Sequence, residues 1–138
     1  MMLRRAFPYL VGTAVVAAIV AGLILIGSPA AERVRRLDDI RVRDLTELSN
    51  AIDLHWRREG KLPVSLDVLA TIPGAAFRST MDPSTEEPYS YRVVDGARYE
   101  LCASFGAEDV VHEYSDRFWA HGAGRKCFEV DAQKRQAR

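Results

Sequence analysis

The sequence has little of what usually identifies the function of a small protein: excess charge of one sign, cysteine and histidine. Its 19 basic residues are balanced by 19 acidic ones. Because such a chain has no long-range field to attract nucleic acid, we expect no nucleic-acid partner. The 3 histidines and the serines form no recognisable catalytic motif. This predicts a protein that is not an enzyme and needs no cofactor.

Charge is missing altogether from residues 6–31. Within this segment, residues 9–26 form an apolar run near the lower limit of length for a helix that crosses a hydrocarbon core of roughly 30 Å. The run predicts a single transmembrane helix at the N-terminus, in contact with the lipid bilayer. A cleaved secretory signal is the alternative, because Arg4 and Arg5 precede the run and small residues follow it.

The side of the membrane on which the remainder of the chain lies is less directly indicated. More arginines follow the apolar run than precede it, which favours a cytoplasmic domain. The only cysteines, Cys102 and Cys127, instead suit a disulfide in an oxidising compartment. We expect a single-pass protein of the bacterial inner membrane with its C-terminal domain in the periplasm.

A long amphipathic helix is predicted after Ser28, which can cap a helix that has Pro29 in its first turn. Apolar residues then recur at steps of three and four as far as Gly60, with Arg41 in one polar slot. The stripe consists of Val34, Leu37, Leu45, Leu48, Ile52 and Trp56. After this helix, Ser65 can cap a short helix at residues 66–71, and residues 72–88 have the composition of a loop.

Alternation of apolar and polar residues predicts strands at residues 89–94, 98–105 and 126–130. A three-residue loop at 95–97 pairs Val93 with Tyr99 and Tyr91 with Leu101, which collects the apolar side chains on one face. The same register continues to a pair at positions 89 and 103. Cys102 and Cys127 fall on the opposite face, at cross-strand distance for a disulfide.

These elements predict an α+β fold in which a transmembrane helix continues into a long amphipathic helix packed on a small three-stranded antiparallel sheet. We divide the chain into a short tail and transmembrane helix at residues 1–30, an extracytoplasmic domain at 31–131 and a basic flexible tail at 132–138.

The order of several short motifs resembles that of type IV pilins and of type II secretion pseudopilins, in particular the soluble domain of the major pseudopilins. The motifs are Gly60-Lys61-Leu62-Pro63, Asp82-Pro83, Pro88-Tyr89-Ser90-Tyr91 and Tyr99-Glu100-Leu101. The resemblance covers roughly residues 34–105 and implies a pilin-like fold. The chain departs from the family in its prepilin cleavage motif, because no glycine precedes Tyr9 and no glutamate lies in the apolar run.

From these features we expect a non-enzymatic structural or accessory subunit of a larger bacterial membrane complex. Its partners would be other membrane subunits, contacted through the apolar helix and the periplasmic domain. Small residues on that helix would allow close helix packing. They are Gly12, Ala14, Ala18, Ala21 and Gly22. A pseudopilin of a secretion or pilus system is the second hypothesis.

A metal-binding extracytoplasmic module is the third hypothesis. Asp109, Glu113 and Asp116 cluster near His112 in a segment without clear periodicity. The position of this segment resembles that of the loop in which major pseudopilins hold calcium. Zinc bound by Cys102, Cys127 and His121 is a further alternative to the disulfide. The acidic residues of the long helix are expected on a salt-bridged solvent face. They are Asp38, Asp39, Asp44, Glu47 and Asp53.

Overall fold

The computed structural model describes residues 2–26, 28–109 and 117–135, and the side chains of these residues except those of 2–8, 23–26 and 135. Internal contacts divide the chain into two compact units, Met1–Arg33 and Val34–Arg138. The second unit contains a three-stranded antiparallel sheet and most of a long helix, which confirms the predicted α+β class.

The first helix, α1, extends over Met2–Ile26 and includes the whole apolar run. The prediction that this run is a transmembrane helix is wrong, because no helix in the part of the chain that the structure describes has both the length and the hydropathy to cross a membrane.

The second helix, α2, extends over Pro29–Glu59, in agreement with the predicted amphipathic helix. Ser28 caps it as expected, since its Oγ accepts a hydrogen bond of 3.3 Å from the Ala30 N–H. At the other end, Gly60 adopts a positive φ of 67° and donates its N–H to the carbonyl of Trp56. Glycine adopts this left-handed conformation without the steric cost that a Cβ would impose, so α2 ends there.

The sheet has the strand order β1-β2-β3, with β1 at Ser90–Val93, β2 at Arg98–Phe105 and β3 at Gly124–Asp131. Val93 pairs with Tyr99 and Tyr91 with Leu101, so the predicted three-residue loop and its register are confirmed. The ladder ends one residue earlier than expected, at the pair of Ser90 with Cys102.

The apolar core lies between α2 and one face of the sheet. Leu45, Leu48 and Ile52 of α2 are completely buried, as are Tyr99 and Leu101 of β2. This arrangement follows from the two periodicities, because a stripe at steps of three and four on a helix covers alternate residues of a strand.

The opposite face of the sheet carries the disulfide between Cys102 and Cys127, which are direct partners in the β2–β3 ladder. The predicted bond is thus present. It closes a loop with a sequence separation of 25 residues. In the chain-entropy model such a loop contributes roughly 3 to 4 kcal/mol to the free energy of unfolding, so the bond stabilises the β2–β3 pair.

Three shorter elements complete the fold. A 3-10 helix at Leu66–Thr71 matches the predicted short helix, although Ser65 makes no side-chain capping bond. A second 3-10 helix lies at Arg117–Trp119, and the short helix α3 occupies Ala132–Arg135. In the segment where we expected a flexible tail, residues 132–135 are therefore helical, and 136–138 lie outside the described residues.

Candidate functional site

The second unit contains a buried polar cluster of Asp38, Arg41 and Asp82, here called the Arg41 cluster. All three side chains are less than a tenth exposed. Asp38 and Arg41 are one turn apart on α2, whereas Asp82 lies in the loop before the sheet. Burial of charged groups is costly unless they are paired and hydrogen-bonded, so the geometry of the pairing determines whether the cluster stabilises the fold.

Arg41 binds both carboxylates. Its Nε donates to Oδ2 of Asp82 at 2.6 Å and its Nη2 donates to Oδ1 of Asp82 at 3.0 Å, which makes a bidentate pair. Its Nη1 donates to Oδ1 of Asp38 at 2.8 Å. The hydrogen bonds to Asp82, ahead of those to Asp38, raise the pKa of Arg41 despite its burial. The guanidinium thus joins α2 to the loop through planar charge-assisted hydrogen bonds.

Asp38 extends the cluster to the end of β2. Its carboxylate accepts hydrogen bonds from the backbone N–H of Gly106, at 2.9 and 3.1 Å, and from that of Ala107, at 2.9 Å. An added Cβ at position 106 would collide with the side chain of Val34 on α2, so that side chain would have to move in any substituted protein. The close approach of the backbone to α2 at this glycine is what allows Asp38 to reach both N–H groups.

Asp82 organises its own turn as well as binding Arg41. Its Oδ1 accepts hydrogen bonds from the N–H groups of Ser84, at 2.8 Å, and Thr85, at 3.1 Å. Burial acts to raise the pKa of Asp82, but the bonds from Arg41, Ser84 and Thr85 together outweigh it and the pKa is lowered. Asp82 therefore stabilises the fold above the ordinary carboxyl pKa, and this contribution is lost as pH falls through the lowered value.

A second buried carboxylate, Asp44, has a different environment. It is 3% exposed and accepts a hydrogen bond of 2.8 Å from the hydroxyl of Tyr89. Burial raises the pKa of Asp44 by more than this bond lowers it. Burial, together with the bond to Asp44, also raises the pKa of Tyr89. The ionised form of Asp44 is therefore disfavoured in the folded protein, so this site opposes folding as pH rises.

The cluster and the Asp44–Tyr89 pair correct one expectation. We placed Asp38 and Asp44 on a solvent face of α2, but both are buried. The spacing indicated that Asp38 is buried, since residues 38, 41, 45, 48 and 52 follow the same steps of three and four as the apolar stripe. A carboxylate on the buried face of a helix, one turn from an arginine, can form a buried ion pair with it.

The predicted calcium residues are only partly within the described chain. Asp109 is half-buried, and its N–H donates to the carbonyl of His121 at 2.9 Å. Glu113, Asp116 and the neighbouring His112 lie outside the described residues. The calcium site therefore stays a prediction.

The zinc alternative is wrong for a chemical reason. Zinc binds cysteine as the thiolate, and both sulfurs are joined in the disulfide. His121 instead stacks on Phe105, with ring centroids 3.6 Å apart and planes 11° apart.

The small residues predicted for helix packing lie along α1, and their role in packing stays a prediction. Gly12 and Ala21 line an open groove along the helix together with Val16, whereas Ala14 and Ala18 lie outside it. At Gly12 and Gly22 an added Cβ would meet open space. Large apolar side chains of α1 are also exposed, by between 46% and 78%. They are Tyr9, Leu10, Val11, Val15, Val16, Ile19 and Val20.

No protein family, curated protein or solved structure matches the chain. The resemblance to pilins and pseudopilins thus stays a prediction based on the order of short motifs.

Replacement of Arg41 by methionine should lower the free energy of unfolding by about 3 to 5 kcal/mol, because two buried carboxylates lose their counter-ion. Urea denaturation at neutral pH measures the change. The matched control is Arg92→Met, which removes an ion pair of 2.7 Å to Glu100 from an arginine that is 69% exposed. The control should change stability by less than about 1 kcal/mol. Equal losses in the two variants would contradict the assigned role of Arg41.

Asp44→Asn should become more stable relative to the natural chain as pH rises above 3.8, because the natural chain then has to ionise a buried group whose folded pKa is raised. Urea denaturation of both proteins between about pH 3 and pH 7 gives the difference. Asp39→Asn removes an exposed carboxylate from the same helix and serves as the control. If the stability of Asp44→Asn relative to the natural chain stayed constant or fell as pH rose, the pKa of Asp44 would not be raised in the folded protein.

Proposed function

We propose that this protein is a non-enzymatic assembly subunit of a larger bacterial membrane-associated complex. In this proposal α1 packs against apolar helices of other subunits, and the α+β domain provides a folded surface for contacts in the periplasm. The observation that carries the proposal is the exposure of large apolar side chains on α1. The proposal does not require α1 to cross a bilayer.

The composition of α1 supports a role in association. Large contiguous apolar surfaces on a protein usually mark an interaction site, because water contact with them is unfavourable. The groove at Gly12, Val16 and Ala21 combines small residues, which permit close approach of a second helix, with a branched side chain that can fill it. A helical partner would thus cover apolar area that is exposed on α1.

The chemistry of the buried carboxylates supports a structural rather than a catalytic role. Both oxygens of Asp38 and of Asp82 accept hydrogen bonds from Arg41 or from backbone N–H groups. A carboxylate held in this way has its lone pairs occupied and does not serve as a general base. The cluster instead fixes the loops that surround the sheet.

A pseudopilin is the second candidate. The order of elements favours it, since a long N-terminal helical region precedes a three-stranded antiparallel sheet and Asp82 organises the turn of the Asp82-Pro83 motif. Proteolytic removal of the N-terminus with methylation of the new end would identify this candidate. An intact N-terminus would favour the accessory subunit.

Site-specific photo-crosslinking in bacterial cells tests the proposal. A benzophenone amino acid at Val16, which lines the groove of α1, should give discrete crosslinked products with other protein chains. The matched control has the same amino acid at Val64, which is 88% exposed in the second unit. This control should give few crosslinked products. Introduction of Val20→Asp into the Val16 probe protein should abolish the products. A full-length protein that gives no product from Val16 and is monomeric on gentle extraction would contradict an assembly role.

A further inference from the structure

The strand β3 lies at one edge of the sheet, because the strand order is β1-β2-β3. It is the longer of the two edge strands, since it extends over Gly124–Asp131 whereas β1 extends over Ser90–Val93. An edge strand has a row of backbone N–H and C=O groups that its one neighbour does not use. A further strand can pair with this row, so the outer edge of β3 is a surface for association.

Backbone hydrogen bonds identify the residues of β3 that face the outer edge. In an antiparallel ladder, alternate residues of a strand bond to the neighbour on one side and the residues between them face the other side. The N–H of Ala132, directly after β3, donates at 3.0 Å to the carbonyl of Ala97, directly before β2. The even-numbered residues of β3 therefore bond to β2, and Arg125, Cys127 and Glu129 direct their backbone groups outward.

The outer edge of β3 is accessible. Arg125, Cys127 and Glu129 are all exposed. Their backbone N–H and C=O groups make no hydrogen bond with any residue in the ranges 2–26, 28–109 and 117–135. Water satisfies exposed groups of this kind, and a second strand can replace that water without leaving any of them unpaired.

The charges on this edge have opposite signs on the two sides of Cys127. Arg125 precedes Cys127 by two residues, Glu129 follows it by two, and alternation places all three side chains on the face of the sheet that carries the disulfide. An antiparallel copy of β3 centred on Cys127 would place Arg125 of each chain opposite Glu129 of the other. Opposite charges in direct cross-strand positions stabilise an antiparallel pair.

The same charges disfavour other arrangements of two β3 strands. A parallel copy in the same register would place Arg125 beside Arg125 and Glu129 beside Glu129, and like charges in such positions are destabilising. Within one chain, Glu129 accepts a hydrogen bond of 3.1 Å from Arg98 through Oε1. A carboxylate has two oxygens, so Oε2 can accept a bond from the arginine of a second copy.

We infer that two copies of this protein associate through their β3 strands, which pair antiparallel about Cys127 and join the two sheets into one. The interface is isologous, because the Arg125–Glu129 contact occurs twice with the roles of the chains exchanged. Backbone hydrogen bonds from the outward residues provide the affinity, and the two charge pairs fix the register. The interface lies in the second unit and does not depend on the function proposed for α1.

Amide hydrogen exchange of the full-length protein, measured by NMR at several concentrations, tests the inference. The amides of Cys127 and Glu129 face outward, so they are protected only when two copies are paired. In a largely dimeric sample the monomer fraction falls with the square root of concentration, so a tenfold increase should slow their exchange by about threefold. The amides of Phe128 and Val130 bond to β2 and should stay protected when the copies separate.

Charge reversal tests the register. Arg125→Glu alone, or Glu129→Arg alone, places like charges opposite each other and should weaken the association by at least about tenfold. A mixture of the two variants should restore it, because one chain is then acidic at both positions and the other is basic at both. The matched control is Arg92→Glu on β1, an arginine that is 69% exposed at the opposite edge of the sheet, and it should change the association by less than about twofold.

Three results would overturn the inference. Exchange of the Cys127 and Glu129 amides at the rate of an unstructured chain, in the concentrated natural protein, would show an edge that no second copy covers. Protection that is independent of concentration would show that the edge is paired within one chain. A mixture of the two charge variants that associates no better than either variant alone would exclude the antiparallel register.

Discussion

The fold depends on one buried cation. Arg41 of α2 lies between the carboxylates of Asp38 and Asp82, and these in turn accept backbone hydrogen bonds from the segments after β2 and before β1. Apolar contacts in the core hold α2 against the sheet, but such contacts are non-directional. The bidentate geometry adds direction, since the planar guanidinium has a limited set of positions in which it satisfies both carboxylates.

Several features of the domain follow from this constraint. At Gly106 the chain leaving β2 approaches α2 closely enough for Asp38 to reach its N–H, and an added Cβ there would displace the side chain of Val34. The turn at Asp82 is fixed by the same carboxylate that binds Arg41, so the loop before β1 has a defined path. On the other face of the sheet the disulfide holds β2 to β3. Together these contacts connect α2, the loops and the sheet into a domain whose function we attribute to its surfaces.

Local patterns in the sequence were sufficient for most of this fold. Alternation placed β2 and its partners in the correct register, and with it the pairing of Cys102 with Cys127. The Arg41 cluster could not be predicted in the same way, because Arg41 and Asp82 are 41 residues apart and no periodicity relates them. The error at α1 has a different cause, since apolar composition indicates a buried environment without specifying lipid or protein.

Native-state hydrogen exchange at the backbone amides of Gly106 and Ala107 tests the central claim most directly. Neither amide belongs to the β2–β3 ladder, and both donate to the buried carboxylate of Asp38. If the Arg41 cluster fixes these loops, both amides should exchange at least about 100-fold more slowly than an unprotected amide, together with those of Ser84 and Thr85. Exchange of all four at the rate of an unstructured chain would contradict the account.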